Sequence, residues 1–293
     1  MLDRLQRHEV IIGDGAWGTM LMARGLEPGR CPEAMTLDRP DTIREIAELY
    51  LDAGAELVTT NTFGGSPLNL ETHGLADQAA AVNRAAAAVV KDLAKVRGAL
   101  VSASVGPCGR LLEPYGDARA EQVENGFRCQ IAALAEGGAD VICIETMIDL
   151  EEAILAIRAA LSEAPGLPIM ATMTFDETPR GFFTIMGTTV ETAAQALTDE
   201  GAQVVGSNCG HGISQMVEIA REFQSHTSLP LLIQANAGLP KATADGLEYP
   251  DGPESYAQAA EALIDLGVGI IGGCCGTTPE HIRALRAMRD QRA

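Results

Sequence analysis

Cys274 and Cys275 are adjacent thiols set among glycines in the stretch Gly272-Gly273-Cys274-Cys275-Gly276-Thr277-Thr278-Pro279-Glu280-His281. Neighbours on a strand point to opposite faces, so both sulfurs reach one point only where the backbone bends sharply between them. Gly273 and Gly276 permit that bend, because glycine tolerates conformations closed to other residues. Thr278 reads as an N-cap and Pro279 as the first residue of a helix, which fixes the turn at its far end. Two thiolates at one point suit a soft or borderline metal such as zinc, which takes three or four ligands. A third ligand must then come from another part of the chain.

The elements that would bring it there are legible from period. Eight short β-branched runs alternate with alanine-rich amphipathic segments: Val10–Asp14, Glu56–Thr60, Leu100–Ala103, Val141–Glu145, Ile169–Met173, Val204–Asn208, Leu231–Ala235 and Gly269–Gly273. Near-continuous apolar runs bounded by turns are the pattern of strands covered on both faces. Val82, Ala86, Val89 and Leu93 make one helical stripe, and Val123, Phe127, Ile131 and Leu134 another. Asp149 followed by Glu152 opens a third helix, with its acids at the end that favours them. Eight β-α units predict a (β/α)8 TIM barrel, expected as a single domain over residues 1–293. The alternative, an open doubly wound sheet, lacks a G-x-G-x-x-G after the first strand. A polar loop from Ala237 to Asp251 reads as an active-site loop or a partner contact.

In such a barrel, chemistry gathers where the strands end. The unusual polar residues fall there: Asp14-Gly15-Ala16-Trp17-Gly18-Thr19, Asn61-Thr62-Phe63-Gly64, Glu145-Thr146, Asn208-Cys209-Gly210 and Asn236-Ala237-Gly238. Cys209, two strands from the last, supplies the third thiolate. Three thiolates with one place open have the form of a catalytic zinc site. Their charge makes the metal a weak Lewis acid, poorly suited to hydrolysis but suited to holding a fourth thiolate that stays nucleophilic. Alkyl transfer to a thiol follows. Glu145 and Asp14 would meet a substrate ammonium, and the glycine-broken turn after Asp14 would offer backbone N–H groups to a carboxylate. Asn236 would hold either the open metal position or the substrate. Residues alone lead to a thiol-bearing amino acid.

The remaining chemistry-bearing residues have plainer readings. Cys31, Cys108, Cys129 and Cys143 read as inert thiols, Cys143 filling the core on the same strand face as Glu145. His211 reads as an exposed loop residue or a donor contact, and His73 and His281 as helix-end surface residues. Trp17 and Phe63 either line the pocket or fill the barrel.

Together, Asp14-Gly15-Ala16-Trp17-Gly18-Thr19, Thr60-Asn61-Thr62-Phe63, Glu145-Thr146, Asn208-Cys209, Asn236-Ala237-Gly238 and Gly272-Gly273-Cys274-Cys275-Gly276-Thr277 resemble the zinc-dependent homocysteine S-methyltransferase family. That family includes betaine enzymes and the homocysteine domain of cobalamin-dependent methionine synthase. The resemblance implies a (β/α)8 barrel, zinc on Cys209, Cys274 and Cys275, and homocysteine as methyl acceptor, giving methionine. It also implies that Glu145 and Asp14 hold the amino group, that the turn through Gly15, Ala16 and Thr19 holds the carboxylate, and that Asn236 lies by the zinc. Met173-Thr174-Phe175-Asp176 and Gln234-Ala235-Asn236-Ala237-Gly238 are closest in wording to the methionine synthase domain. The resemblance runs from about Val10 to about Arg289, leaving out a dimerisation extension and folate and cobalamin domains. The methyl donor is therefore expected from outside: a separate methyl-corrinoid protein by preference, or a small onium compound such as betaine, S-methylmethionine or S-adenosylmethionine. A zinc- and thiol-binding barrel without turnover is the reading from another class.

Charge and composition narrow the partners further. The 293 residues carry 21 basic and 40 acidic side chains, a formal charge of -19, which repels nucleic acid and anionic membrane. The N-terminal Met1-Leu2-Asp3-Arg4-Leu5-Gln6-Arg7-His8 has no apolar segment, so no secretory signal is expected. No apolar run approaches the ~18 residues of a membrane span. Seven cysteines, an odd number, point to a reducing, cytoplasmic setting in which clustered thiols serve metal or catalysis rather than disulfides.

Overall fold

Residues 1–243 and 246–292 are described by the structure, a computed structural model. All eight anticipated strands form: β1 (Ile11–Ile12), β2 (Leu57–Thr59), β3 (Leu100–Val105), β4 (Val141–Met147), β5 (Ile169–Met173), β6 (Val204–Gly212), β7 (Leu231–Asn236) and β8 (Ile270–Gly273). They make one parallel sheet in the order β1-β8-β7-β6-β5-β4-β3-β2. The seam between β1 and β2 is bridged by Gly13 against Leu57. Two bonds reinforce it, from Asp14 N–H to Leu57 O at 3.0 Å and from Glu56 N–H to Ile12 O at 2.8 Å. Outside lie helices α1 (Pro40–Asp52), α2 (Ala79–Arg97), α3 (Ala120–Glu136), α4 (Leu150–Glu163), α5 (Val190–Glu200), α6 (Ile213–His226), α7 (Pro253–Asp265) and α8 (Pro279–Arg292).

The two-residue period of the strands sorts the barrel interior into levels. Ile11, Leu57, Val141, Cys143, Met170, Val204, Leu232 and Ile270 form one buried apolar cluster with Leu5 of the N-terminal helix Leu2–Gln6. Two residues further along, the same inward face carries Thr59, Glu145, Thr172 and Gln234, and two beyond Gly206 it carries Asn208. The interior thus turns from apolar at the N-terminal end to polar at the mouth. The alternate residues Val58, Val101, Ile142, Ala171, Val205, Ile233 and Ile271 pack outward against the helices. Glu56 tightens the closed end, accepting from Arg4 at 2.8 Å, Arg289 at 3.0 Å and the Ile12 amide at 3.2 Å.

Differences from the sequence reading have local causes. On α2 the buried stripe is Val82, Ala86, Val90 and Ala94, while Val89 and Leu93 are only partly covered. Burial of Asn83, which donates to Gly65 O at 2.7 Å, turns the helix by one residue. On α4, Asp149 caps through the Glu151 amide at 2.9 Å. Glu152 is instead buried and accepts from Cys108 N–H at 2.7 Å.

His281 is no surface residue. It is buried, placed edge-on to Tyr256 at 5.5 Å, and joins the Thr278 amide at 3.2 Å to Asp251 O at 2.8 Å. The Ala237–Asp251 segment contains a hairpin, Lys241–Thr243 against Gly246–Glu248, although its Ala244 and Asp245 lie outside the described residues. A second hairpin, Asp176–Thr178 against Gly181–Phe183, follows β5. Among the described residues no helix is long and apolar enough to cross a membrane.

Candidate metal and substrate site

The cysteine turn is shaped by its neighbours. Cys274 N–H still pairs with Ala235 O at 2.7 Å, as if β8 continued, and the chain then folds back so that Thr277 N–H reaches Cys274 O at 3.1 Å. The Thr277 hydroxyl also donates to Cys274 O at 2.7 Å. Gly276 has a φ of +80°, and a Cβ there would lie 2.1 Å from the Tyr249 ring, so both conformation and space demand glycine.

On β6, Cys209 itself adopts a φ of +61°, a costly state for a non-glycine residue. That twist, within an irregular pairing between Asn208 and Gly212, aims its side chain at the other two. The Cys209 and Cys275 sulfurs are 3.9 Å apart, and all three sulfurs lie within 4.8 Å of one another. Tetrahedral zinc at about 2.3 Å from each sulfur sets them about 3.8 Å apart.

Electrostatics point the same way. Bonds from the Cys274 and Cys275 thiols push the Cys209 thiol well below its ordinary range. The same contact with Cys209, helped by burial, pushes Cys274 and Cys275 up. Asn236 is buried, its side chain donates towards Cys209, and its Oδ1 has no partner among the described residues. A soft cation fits both the sulfurs and this oxygen.

Two carboxylates sit beside the sulfurs. Asp14, at the end of β1, is buried and takes three donors: Thr59 Oγ1 at 2.7 Å, Thr59 N–H at 2.8 Å and Trp17 Nε1 at 2.9 Å. Burial pushes it up to about 6 despite those bonds. Glu145, at the end of β4, is open on one side. It accepts from the Ser104 hydroxyl and, at 3.3 Å, from Asn208 Nδ2. Burial, with the Asp14 and Cys209 charges, pushes it up to about 7 against the Ser104 bond. No lysine or arginine pairs with either acid among the described residues. Glu145 keeps the larger unused capacity for a donor.

Asn208 joins the two halves of the site. Its Oδ1 accepts from Thr146 N–H at 2.7 Å and Thr172 Oγ1 at 2.8 Å, and its Nδ2 reaches Thr146 Oγ1 at 2.7 Å and Cys274 Sγ at 4.0 Å. Thr146 is held at a φ of +59°, a genuine outlier for a β-branched residue. The turn after Asp14 packs directly on the cysteine turn: a Cβ on Gly15 would lie 2.6 Å from Thr277 Oγ1. The Ala16 amide is already taken by that hydroxyl at 3.1 Å. The first-turn amides of Trp17, Gly18 and Thr19 in the short helix Trp17–Met22 have no intrahelical acceptor.

Sequence reasoning placed Asn208 at the mouth and Thr277 in the cysteine turn but gave neither a role, and it did not single out Ser104, Thr59 or Tyr249, because their contacts join parts of the chain far apart in sequence. Left-handed Thr146 and Cys209 had no sequence signal either. His211 is not an exposed loop residue. Its side chain is 14% exposed, it lies in β6, and Nε2 accepts from Glu177 N–H of the second hairpin at 3.3 Å. Trp17 is a site residue through its bond to Asp14, whereas Phe63 is 43% exposed. Two open clefts, of about 460 Å3 beside Cys31, Arg39 and His73 and about 440 Å3 beside Arg180 and Phe183, contain none of these groups. Converging chemistry, not the size of a hollow, marks the site.

A closed parallel β/α barrel with a thiol cluster and two uncompensated acids at its mouth is the class of protein that these features define. Within that class, a model of the homocysteine S-methyltransferase family matches residues 11–289, and the chain belongs to this family. It is 34% identical over 305 residues to methionine synthase of Mycobacterium tuberculosis, covering 98% of this chain and 25% of that protein. With methionine synthase of Mycobacterium leprae it shares 33% identity over 296 residues, covering 95% of this chain and 24% of the relative. The chain thus spans about a quarter of the length of these curated relatives. Among solved structures, the metallated form of the homocysteine methyltransferase MmuM from Escherichia coli matches over 97% of both chains with a TM-score of 0.80 at 24% identity. That likeness bears on the fold.

Proposed function

We propose that residues 1–293 work as one cytoplasmic barrel domain that transfers a methyl group to the thiol of homocysteine, forming methionine, on zinc held by Cys209, Cys274 and Cys275. The observation that carries the reading is the meeting of three sulfurs within 4.8 Å beside two carboxylates that have no cationic partner among the described residues. When bound, three-thiolate zinc supplies a site that deprotonates an incoming thiol and leaves its sulfur nucleophilic.

The chain's own groups do the rest. Glu145, with Asp14 behind it, receives the substrate ammonium, which relieves the cost of holding two acids close together. The free amides of the turn through Gly15 and Thr19 receive the carboxylate, the Ala16 amide serving only to lock the turn to Thr277. Fixing both ends of the amino acid points its sulfur at the cysteine cluster, and this positioning is where the rate is gained. Asn236 Oδ1 stands by the sulfurs until the substrate arrives.

For the donor we favour methyl-corrinoid on a separate protein. Support comes from the relatives named methionine synthase and from exposed apolar Phe63, Ile185 and Leu239 on the loops after β2, β5 and β7, which suit a macromolecular face. Purified protein assayed for methionine with methylcobalamin, betaine, S-methylmethionine and S-adenosylmethionine tests this. Activity with methylcobalamin alone is expected. Turnover with an onium donor instead would overturn the donor assignment, and none with any would overturn the activity.

A further inference from the structure

Past their paired residues, β1 and β8 stay joined by two bonds. Gly273 N–H reaches Asp14 O at 2.8 Å, the last rung between the two backbones. The chain after Gly273 then leaves the sheet for the cysteine turn, so Ala16 N–H meets no strand carbonyl, and the Thr277 hydroxyl takes that place at 3.1 Å. Its own proton goes to Cys274 O at 2.7 Å, which the Thr277 amide also reaches at 3.1 Å. One hydroxyl thus accepts from the turn after Asp14 and donates to a residue of the thiol cluster, two roles that a hydroxyl can fill at once. Thr277 is fully buried and sits in a slot between two glycines: a Cβ on Gly15 would lie 2.6 Å from its Oγ1, and one on Gly273 closer still. From α1, the Tyr50 hydroxyl donates to Ala16 O at 2.8 Å. Ala16 is therefore held at both its N–H and its C=O, and its turn shifts only if Thr277 shifts with it.

We propose that Thr277 is a positioning residue that couples the two halves of the site: its hydroxyl ties the seat of the substrate carboxylate to the turn carrying Cys274 and Cys275, so that filling either half favours the other. This deepens the proposed function and rests on it. Hydrogen bonds in a chain polarise one another, and the chain here runs from Ala16 N–H through Thr277 Oγ1–H to Cys274 O. Its geometric effect is the larger one. The peptide between Cys274 and Cys275 takes its tilt from the two bonds that Cys274 O accepts, and that tilt sets where both sulfurs point. Once the sulfurs are gathered on a cation the tilt is fixed, Ala16 is fixed with it, and the amides after Ala16 stand ready for a carboxylate. Order imposed by one ligand need not be imposed again by the second, which is positive coupling, and such coupling is reciprocal.

L-2-Aminobutyrate, which is homocysteine without its sulfur, fills the seat and offers the metal no thiol. Chelator competition measures zinc affinity with and without saturating L-2-aminobutyrate for the wild type, Thr277→Val and Thr277→Ser. In the wild type the amino acid is expected to tighten zinc by about 5-fold. Thr277→Val keeps the shape without the hydroxyl and should abolish this shift, and Thr277→Ser should restore it. A residue that merely stabilised the fold would weaken zinc equally with and without the amino acid. No tightening in the wild type, or the same tightening in Thr277→Val, would overturn the proposal. Loss of the tightening in Thr277→Ser as well would assign Thr277 to packing and overturn it too. A wild type that binds no zinc, or that calorimetry shows to bind neither L-2-aminobutyrate nor homocysteine, would instead defeat the proposed function, and this inference with it.

Discussion

Replacing Glu145 by glutamine should stabilise the protein at neutral pH and disable it. In the folded chain the Glu145 carboxyl is pushed from an ordinary 4.5 to about 7, chiefly by burial. That displacement is worth at most roughly 3 kcal/mol against the charged form, less because one edge of the side chain is open to the pocket. A carboxyl raised in the folded state costs nothing below its unfolded value and the full amount above its folded value. The gain of Glu145→Gln over wild type should thus be absent at pH 4, grow between pH 4.5 and 7, and level off above that. Urea denaturation at pH 5 and pH 8, without homocysteine, measures it. Calorimetric titration should show homocysteine affinity falling about 100-fold, since a buried charged partner is lost. Equal destabilisation at both pH values, or unchanged homocysteine binding, would refute the assignment of Glu145 as an uncompensated receptor for the ammonium.

Other perturbations follow from the same geometry. Cys209→Ser should leave the barrel folded but reduce zinc, measured by elemental analysis, from one equivalent to a small fraction, because two thiolates on one turn do not make a closed donor set. Asn208→Ala strips partners from the Thr146 amide and Thr172 hydroxyl at once, so chemical denaturation should show a loss of about 3 kcal/mol. Glu56→Gln should cost about 2 kcal/mol at pH 7 by leaving Arg4 and Arg289 short of a charge. Burial raises the Glu56 carboxyl, but its bonds to the Ile12 amide and to Arg4 more than offset this and hold it below its usual range. Its contribution is therefore present above pH 4.5 and lost as the pH falls through the lowered value, so denaturation curves of variant and wild type should converge in acid.

The fold was legible because both-face burial writes each strand as a β-branched run: Ile169–Met173 was bounded to the residue, and β4 and β6 were missed only in the bent extensions that carry Thr146 and Cys209. The cysteines were legible because Cys274 and Cys275 share a turn and Cys209 ends a strand. What holds them was not. Asn208 bonds Thr146, Ser104 bonds Glu145 and Tyr249 covers Gly276 across gaps of tens of residues, and no local period records a contact of that kind. His281 looked like a helix-end surface residue for the same reason, its burial being set by Tyr256 and Asp251. The N-terminal helix that places Leu5 in the barrel likewise had no motif, only two leucines among charges.

The central claim is that three sulfurs from two strand ends hold one metal and leave a place for a fourth. X-ray absorption at the zinc edge, before and after homocysteine is added, measures it directly. Three sulfurs at about 2.3 Å with one lighter ligand, becoming four sulfurs on addition, is the predicted result. Fewer than three sulfurs at the start, or no gain of a sulfur with homocysteine bound, would contradict it.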